Sequence, residues 1–281
     1  MRIGTHVSIA GNIWHSPGNA AAVGAEVFQI FSRSPHGGPV KPITSQVAAR
    51  FKAEMNRHKL STFYIHTPYF INLASIKNNI YYGSISVLRQ ELERGNLLGC
   101  SAVMTHLGSF GELSDAQGFK RVVDALIKVL DGYRGKTQLL LEMSAGAGRI
   151  IGDTFSEIAK IIFDKKLKKL DLGVCFDTCH AFASGYDLRN KGSVEKTLKD
   201  FDKTIGLEKL KLVHVNDSKG DLGKHLDRHE HIGKGKIGIG GFAALASNKI
   251  LSQLDWILET PKDNPKDDQK NIATLQALRY T

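Results

Sequence analysis

The chain has 281 residues, 42% of them apolar and 23% charged, which is the composition of an ordinary soluble protein with enough material for a sizeable core. No apolar stretch reaches membrane-spanning length, the strand-like start Met1-Arg-Ile-Gly-Thr-His6 makes a signal peptide unexpected, and three cysteines make no disulfide framework. A cytoplasmic, reduced protein is expected, and the formal net charge of +10 with a pI near 9.4 favours a polyanionic partner, nucleic acid being the natural candidate.

Eight short apolar runs follow in order: Arg2–Val7, Glu26–Phe31, Thr62–Ile65, Ala102–Thr105, Gln138–Leu141, Leu172–Phe176, Leu210–Val215 and Asp255–Leu258. Their β-branched and aromatic content suits strands buried on both faces, as in a parallel sheet. Helical periodicity fills Ser45–Leu60, Ser84–Leu98, Ala116–Leu130, Phe155–Phe163 and Ser193–Ile205, and Thr154 with Glu157 predicts a capping box before the fourth of these. Gly11–Gly24, Gly233–Asn248 and Asp267–Arg279 supply the remaining connections. Strand and helix alternating at intervals of roughly 25 to 45 residues imply right-handed crossovers, and eight such units predict a closed (β/α)8 TIM barrel forming a single domain over residues 1–281. The alternative is an open doubly wound sheet, which the lack of a Gly-x-Gly-x-x-Gly after the first run disfavours as a dinucleotide fold.

In a barrel, the C-terminal strand ends face one mouth, where active sites lie. The residues at those ends are His66, His106, Glu142, Asp177 with His180, His214 and Glu259; Asp227 and His229 join from the loop after the seventh run. Taken singly, each has an ordinary explanation. A His after a strand is commonly a hydrogen-bonded loop residue, Glu142 or Glu259 can pair with a rim lysine, and Asp177 can cap the next helix. Taken together, nine separate partners would be needed, whereas a metal cluster satisfies all nine at once. Asp227 and His229 are two apart, so an extended backbone turns both to one side. Imidazole mixed with carboxylate suits zinc, manganese or iron better than magnesium. Nine ligands fit up to three ions, and three divalent ions against four carboxylates leave a formal +2, a field suited to a phosphodiester.

The motifs His66-Thr-Pro-Tyr69, Thr105-His-Leu-Gly108, Leu141-Glu-Met-Ser-Ala-Gly146, Phe176-Asp-Thr-Cys-His-Ala181, His214-Val-Asn-Asp-Ser-Lys219, Asp227-Arg-His229 with Ile232-Gly-Lys-Gly235, and Ile257-Leu-Glu-Thr-Pro261 stand in this order. In these motifs the chain resembles the endonuclease IV family of apurinic/apyrimidinic endonucleases (deoxyribonuclease IV), from Gly4 almost to the C-terminus. The resemblance implies a trinuclear Zn2+ site, with Mn2+ or Fe possible at some positions, that cuts double-stranded DNA 5′ to abasic sites by attack of a metal-bound hydroxide. It leaves a 3′-hydroxyl and a 5′-deoxyribose phosphate, with cleaning of blocked 3′ ends as a companion activity. It implies that His66, His106 and Glu142 hold one ion, that Glu142 bridges to a second shared with Asp177, His214 and Glu259, and that His180, Asp227 and His229 hold the third. Glu259 and Glu142 are then the catalytic residues, Glu259 orienting the attacking group. Tyr69 matches the family's intercalating tyrosine and Arg228 a phosphate contact, with Lys219 and Lys234 adding to a basic rim.

The loop Arg33-Ser-Pro-His-Gly-Gly38 departs from the family's pattern, which carries an asparagine, an arginine and a tryptophan there. His36 then stands in place of the inserting arginine, with Arg33 reaching over as the alternative. Cys175 is expected in the barrel core, Cys179 among the ligands but not as one, and His6 and His231 around them. A sugar isomerase on the same barrel is the rival reading, but it needs fewer ligands and no basic charge. A non-catalytic damage binder is the other. A monomer is expected.

Overall fold

The computed structural model describes residues 1–279; residues 280–281, the last two of the expected single domain, lie outside the described residues. All eight runs form strands. The first seven are β1 (Ile3–His6), β2 (Val27–Phe31), β3 (Phe63–His66), β4 (Ala102–Thr105), β5 (Gln138–Glu142), β6 (Leu172–Asp177) and β7 (Leu210–His214). A short antiparallel ribbon of β8 (Asp217–Ser218) and β9 (His229–Glu230) follows, and β10 (Asp255–Leu258) is the eighth. Parallel pairing runs from β1 through β7 in order, then to β10 and back to β1, so the (β/α)8 barrel is closed and the open sheet is ruled out. Gly4 lets β1 lie against β2: a Cβ there would collide with the Val27 carbonyl oxygen.

Around the ring lie α1 (Ser16–Ala22), α2 (Ser45–Arg57), α3 (Asn78–Leu98), α4 (Asp115–Leu130), α5 (Phe155–Ile162), α6 (Thr178–Ala183), α7 (Lys191–Thr204), α8 (Gly238–Ala246) and α9 (Asp267–Leu278). Their apolar faces, with the outward strand side chains, build the main core; Phe28, Phe51 and Phe63 pack together in it at ring separations of 4.8–6.5 Å. Burying each such ring stabilises the fold by roughly 1.5–3 kcal/mol. The expected capping box at α5 is half formed. Thr154 accepts from the Glu157 N–H, but the Glu157 carboxylate turns to the Gly152 N–H at 2.7 Å. A complete box stands instead at α4, between Ser114 and Gln117.

Inside the ring, side chains stack in layers of period two along each strand. Below the mouth these inward side chains are apolar: Val27, Tyr64, Ala102, Met104, Leu140, Cys175, Leu212 and Ile257. Two residues further along seven of these strands come Gln29, His66, His106, Glu142, Asp177, His214 and Glu259, and on β1 the same step runs from Gly4 to His6. A polar ring thus caps the apolar plug at the C-terminal end. No helix of the described residues is long and apolar enough to cross a membrane.

Candidate metal centre at the barrel mouth

The nine expected donors meet in three groups, each with its ligand atoms within 4.8 Å of one another. His66, His106 and Glu142 form one; Glu142, Asp177, His214 and Glu259 form the second; His180, Asp227 and His229 form the third. Glu142 belongs to two groups and is fully buried. Asp177 serves twice. Its Oδ1 caps α6 by accepting the His180 N–H at 2.8 Å, and its Oδ2 accepts from Asn216 Nδ2 at 2.7 Å.

Backbone carbonyls fix which nitrogen of three imidazoles carries hydrogen, because a carbonyl only accepts. Nδ1–H of His66 donates to Thr67 O at 2.7 Å, that of His180 to Met143 O at 2.9 Å, and that of His229 to Glu259 O at 3.0 Å. In its neutral form each ring therefore turns a bare Nε2 inward. His66 Nε2 lies 2.8 Å from Glu142 Oε2, and His180 Nε2 faces His229 Nε2 at 3.4 Å with Asp227 Oδ1 3.3 Å away. Two lone pairs at that separation repel, and so do lone pairs set against carboxylates. A proton or a cation has to lie among them, and this donor set fits a borderline divalent ion.

On protein groups alone, the carboxylates draw protons onto the imidazoles. Burial works against charge at His180, yet Asp177, Asp227 and Glu142 push it up to about 10. Burial likewise opposes charge at His66, which Glu142 and Glu259 raise, and at His214, which Cys175, Glu259 and Glu142 raise. Burial, with help from His180 and His66, prevails over Glu142 at His106, which is lowered. Burial also raises carboxyl groups, but at Glu142 the three imidazoles His106, His214 and His66 outweigh it, and at Glu259 His214, His6 and His66 do so. Both carboxyls sit well below their ordinary range. Asp227 falls to about 2 through His180 and His229, against burial.

A cation entering the third group must displace the His180 proton but none from Asp227. Zinc uptake by metal-stripped protein at pH 7 should therefore release protons and tighten as pH rises towards 10. Calorimetry in buffers of different ionisation enthalpy measures this; proton-neutral uptake would contradict it. Stability follows the same sign. A histidine raised from 6.5 to about 10 stabilises the metal-stripped fold fully below pH 6.5, and the contribution fades as pH climbs through 10.

The remaining expected residues fall as follows. Tyr69, 67% exposed, leans on Phe31 and has His36 at a ring separation of 6.0 Å. It borders a cavity of about 380 Å3 with His66, His106, Asp227 and Glu259. Arg228 and Lys219 are exposed and share the ribbon, the Lys219 N–H donating to Arg228 O at 2.9 Å; Lys234 is exposed nearby. Arg33 does not reach over the mouth. It is buried against Glu91, with Gln90 at 3.0 Å, because a carboxylate buried on α3 requires a cation. Cys175 is in the inner core as expected. Cys179 sits beside Asp177 and His229, and burial pushes its thiol up.

Three residues that hold the centre escaped the sequence. Asn216 Oδ1 accepts the Glu259 N–H at 2.8 Å while its amide nitrogen holds Asp177. Buried Asn271 donates from Nδ2 to Thr260 Oγ1 and to His231 Nδ1, each at 3.0 Å, and accepts the Ile232 N–H. It thereby ties the segment bearing His229 to the one bearing Glu259. The same contact leaves His231 with Nε2–H towards Asp263 and Asp267, so that trio is no cation site. Gln29 touches His6, His214 and Glu259.

The sequence pattern described as "Xylose isomerase-like TIM barrel" matches residues 17–280. A protein of Methanoculleus marisnigri called probable endonuclease 4 is 42% identical over 98% of this chain and 98% of its own. The crystal structure of endonuclease IV from Thermus thermophilus superposes with a TM-score of 0.87 at 34% identity, covering 99% of this chain and 98% of that one. A D-tagatose 3-epimerase-like protein reaches a TM-score of 0.74 over 99% and 97%, but at 19% identity that likeness is one of fold alone. With relatives this similar along nearly its whole length, and nine donors gathered where the barrel opens, the chain belongs to the endonuclease IV family.

Proposed function

We propose that this protein incises duplex DNA on the 5′ side of abasic sites, leaving a 3′-hydroxyl and a 5′-deoxyribose phosphate, and that it also trims blocked 3′ ends. The observation that carries the reading is the set of three donor groups at one mouth, together with the family to which the chain belongs. His66, His106 and Glu142 would hold one zinc, Glu142 with Asp177, His214 and Glu259 a second, and His180, Asp227 and His229 a third. Zinc bound there supplies Lewis acidity towards a phosphodiester and towards water.

The chain's own residues do the rest. Glu259 holds one oxygen towards Gln29 and the other towards His214, and orients the attacking water. Tyr69, with His36 beside it, fills the stack left when the abasic nucleotide turns out, a step made easy by the missing base. Arg228 and Lys219 bind phosphate from the ribbon, while Arg33 braces its loop through Glu91 rather than meeting DNA. The +10 charge suits this partner and has no use in a sugar epimerase. Three buried, unpaired cysteines suit a reducing cytoplasm, where we take the protein to act as a monomer on the nucleoid.

The test is a duplex oligonucleotide with one tetrahydrofuran site, incubated with protein before and after prolonged chelation. A nick 5′ to the lesion is expected, lost on metal removal and restored by zinc. Intact duplex with loaded protein, or undiminished nicking after stripping, would refute the reading.

A further inference from the structure

Seven of the eight positions in the polar ring are imidazoles or carboxylates, and the eighth is Gln29. It sits on β2, fully buried, one inward step beyond Val27. An uncharged amide there makes three contacts. Its Nε2 lies 2.6 Å from Glu259 Oε1 and 3.0 Å from His6 Nδ1, and its Oε1 lies 2.8 Å from His214 Nε2.

The orientation of the amide follows from its partners. A carboxylate oxygen only accepts, so the Gln29 atom against Glu259 is the NH2 group. The other end is then the carbonyl, and a carbonyl beside His214 Nε2 requires Nε2–H. The three imidazoles His66, His180 and His229, each held by a backbone carbonyl, use Nδ1–H and turn Nε2 inward. His214 is reversed. Its Nδ1 points inward, 3.0 Å from Glu142 Oε1 and 3.4 Å from Glu259 Oε2. Gln29 also occupies Glu259 Oε1, which leaves Oε2 as the oxygen facing His214 Nδ1.

We propose that Gln29 is a positioning residue of the centre, fixing His214 with a bare Nδ1 towards the metals and turning Glu259 so that only Oε2 faces them. This rests on the metal-centre reading above. No other side chain of similar size serves both partners. Glutamate would set a carboxylate against Glu259, lysine would meet the His214 N–H donor to donor, and methionine would leave both groups without a hydrogen bond.

The first measurement uses zinc-loaded wild-type protein: imidazole 1H–15N correlation spectra should show His214 with its hydrogen on Nε2. Hydrogen on Nδ1 overturns the proposal. The second compares Gln29→Met with wild type. Loss of zinc to a competing chelator should be about 10–100-fold faster, in line with the effect of removing an outer partner of a ligand. The visible spectrum of the cobalt-substituted variant should shift, and kcat on the tetrahydrofuran duplex should fall by about 10–100-fold with KM unchanged. Parental chelation rate, spectrum and kcat overturn the proposal, whatever happens to the melting temperature. Should Gln29→Met fail to fold, the wild-type spectrum still decides. The imidazole and chelation readouts involve no DNA, so a wild type that does not cut sinks the proposed function without deciding Gln29.

Discussion

Glu259→Gln should bind the lesion duplex as the parent does and cut it about 10²–10⁴-fold more slowly, the range spanned by loss of a positioned acid–base group. The expectation of a folded, binding-competent variant comes from Gln29. Its amide nitrogen demands an acceptor, so the new side chain keeps its oxygen at the Oε1 position and places its NH2 where Oε2 stood, 3.4 Å from His214 Nδ1. The anchoring contact survives and the charge facing the centre is lost. The backbone around it is held separately, by Asn216 to the Glu259 N–H. Gel-shift titration and single-turnover cleavage separate the two effects. Cleavage within tenfold of the parent would remove Glu259 from its assigned role.

Glu142→Gln should be more damaging still, because that carboxylate stands in two of the three groups. Elemental analysis should find metal lost from both, and turnover should drop by about 10³-fold or more, the upper scale for losing one preorganised electrostatic element. A second readout is available in metal-stripped protein. His66 and His214 are raised partly by Glu142, so their charged pairing with it stabilises the fold below pH 6.5 and fades as pH rises through their elevated values. Breaking a buried ion pair costs roughly 3–5 kcal/mol. The stripped variant should therefore melt well below the stripped parent at pH 6, with the gap narrowing in alkaline buffer. A full metal complement with parental turnover would contradict the bridging position.

The barrel was legible because its strands are buried on both faces and their apolar runs stop within a residue or two of the true ends. The donors were legible for the same reason: His66, Glu142, Asp177 and His214 are last residues of strands, where a polar group interrupts an apolar run. Gln29 was hidden because it lies inside its run, between Phe28 and Ile30, and only the period-two count along β2 marks it as inward. Arg33 was misplaced because its partner Glu91 sits on a helix some sixty residues on, beyond the reach of local pattern. α3 begins at Asn78 rather than Ser84. Its first turns carry Tyr81, Tyr82 and Gly83, poor helix formers held by packing of Arg121 over the Tyr81 ring at 4.2 Å. Asn271, on the last helix, gave no local signal at all.

Because every strand gives one side chain to the polar ring, no contiguous stretch of chain owns a whole donor group of the first or second kind. His66 and Glu142 are 76 residues apart, and Glu142 and Glu259 are brought together only when β10 seats between β7 and β1. Chelation therefore cannot seed assembly; it can only act as a latch on a ring already shut. Bound metal should accordingly act like a keystone, resisting opening of the barrel while doing little to hasten its construction.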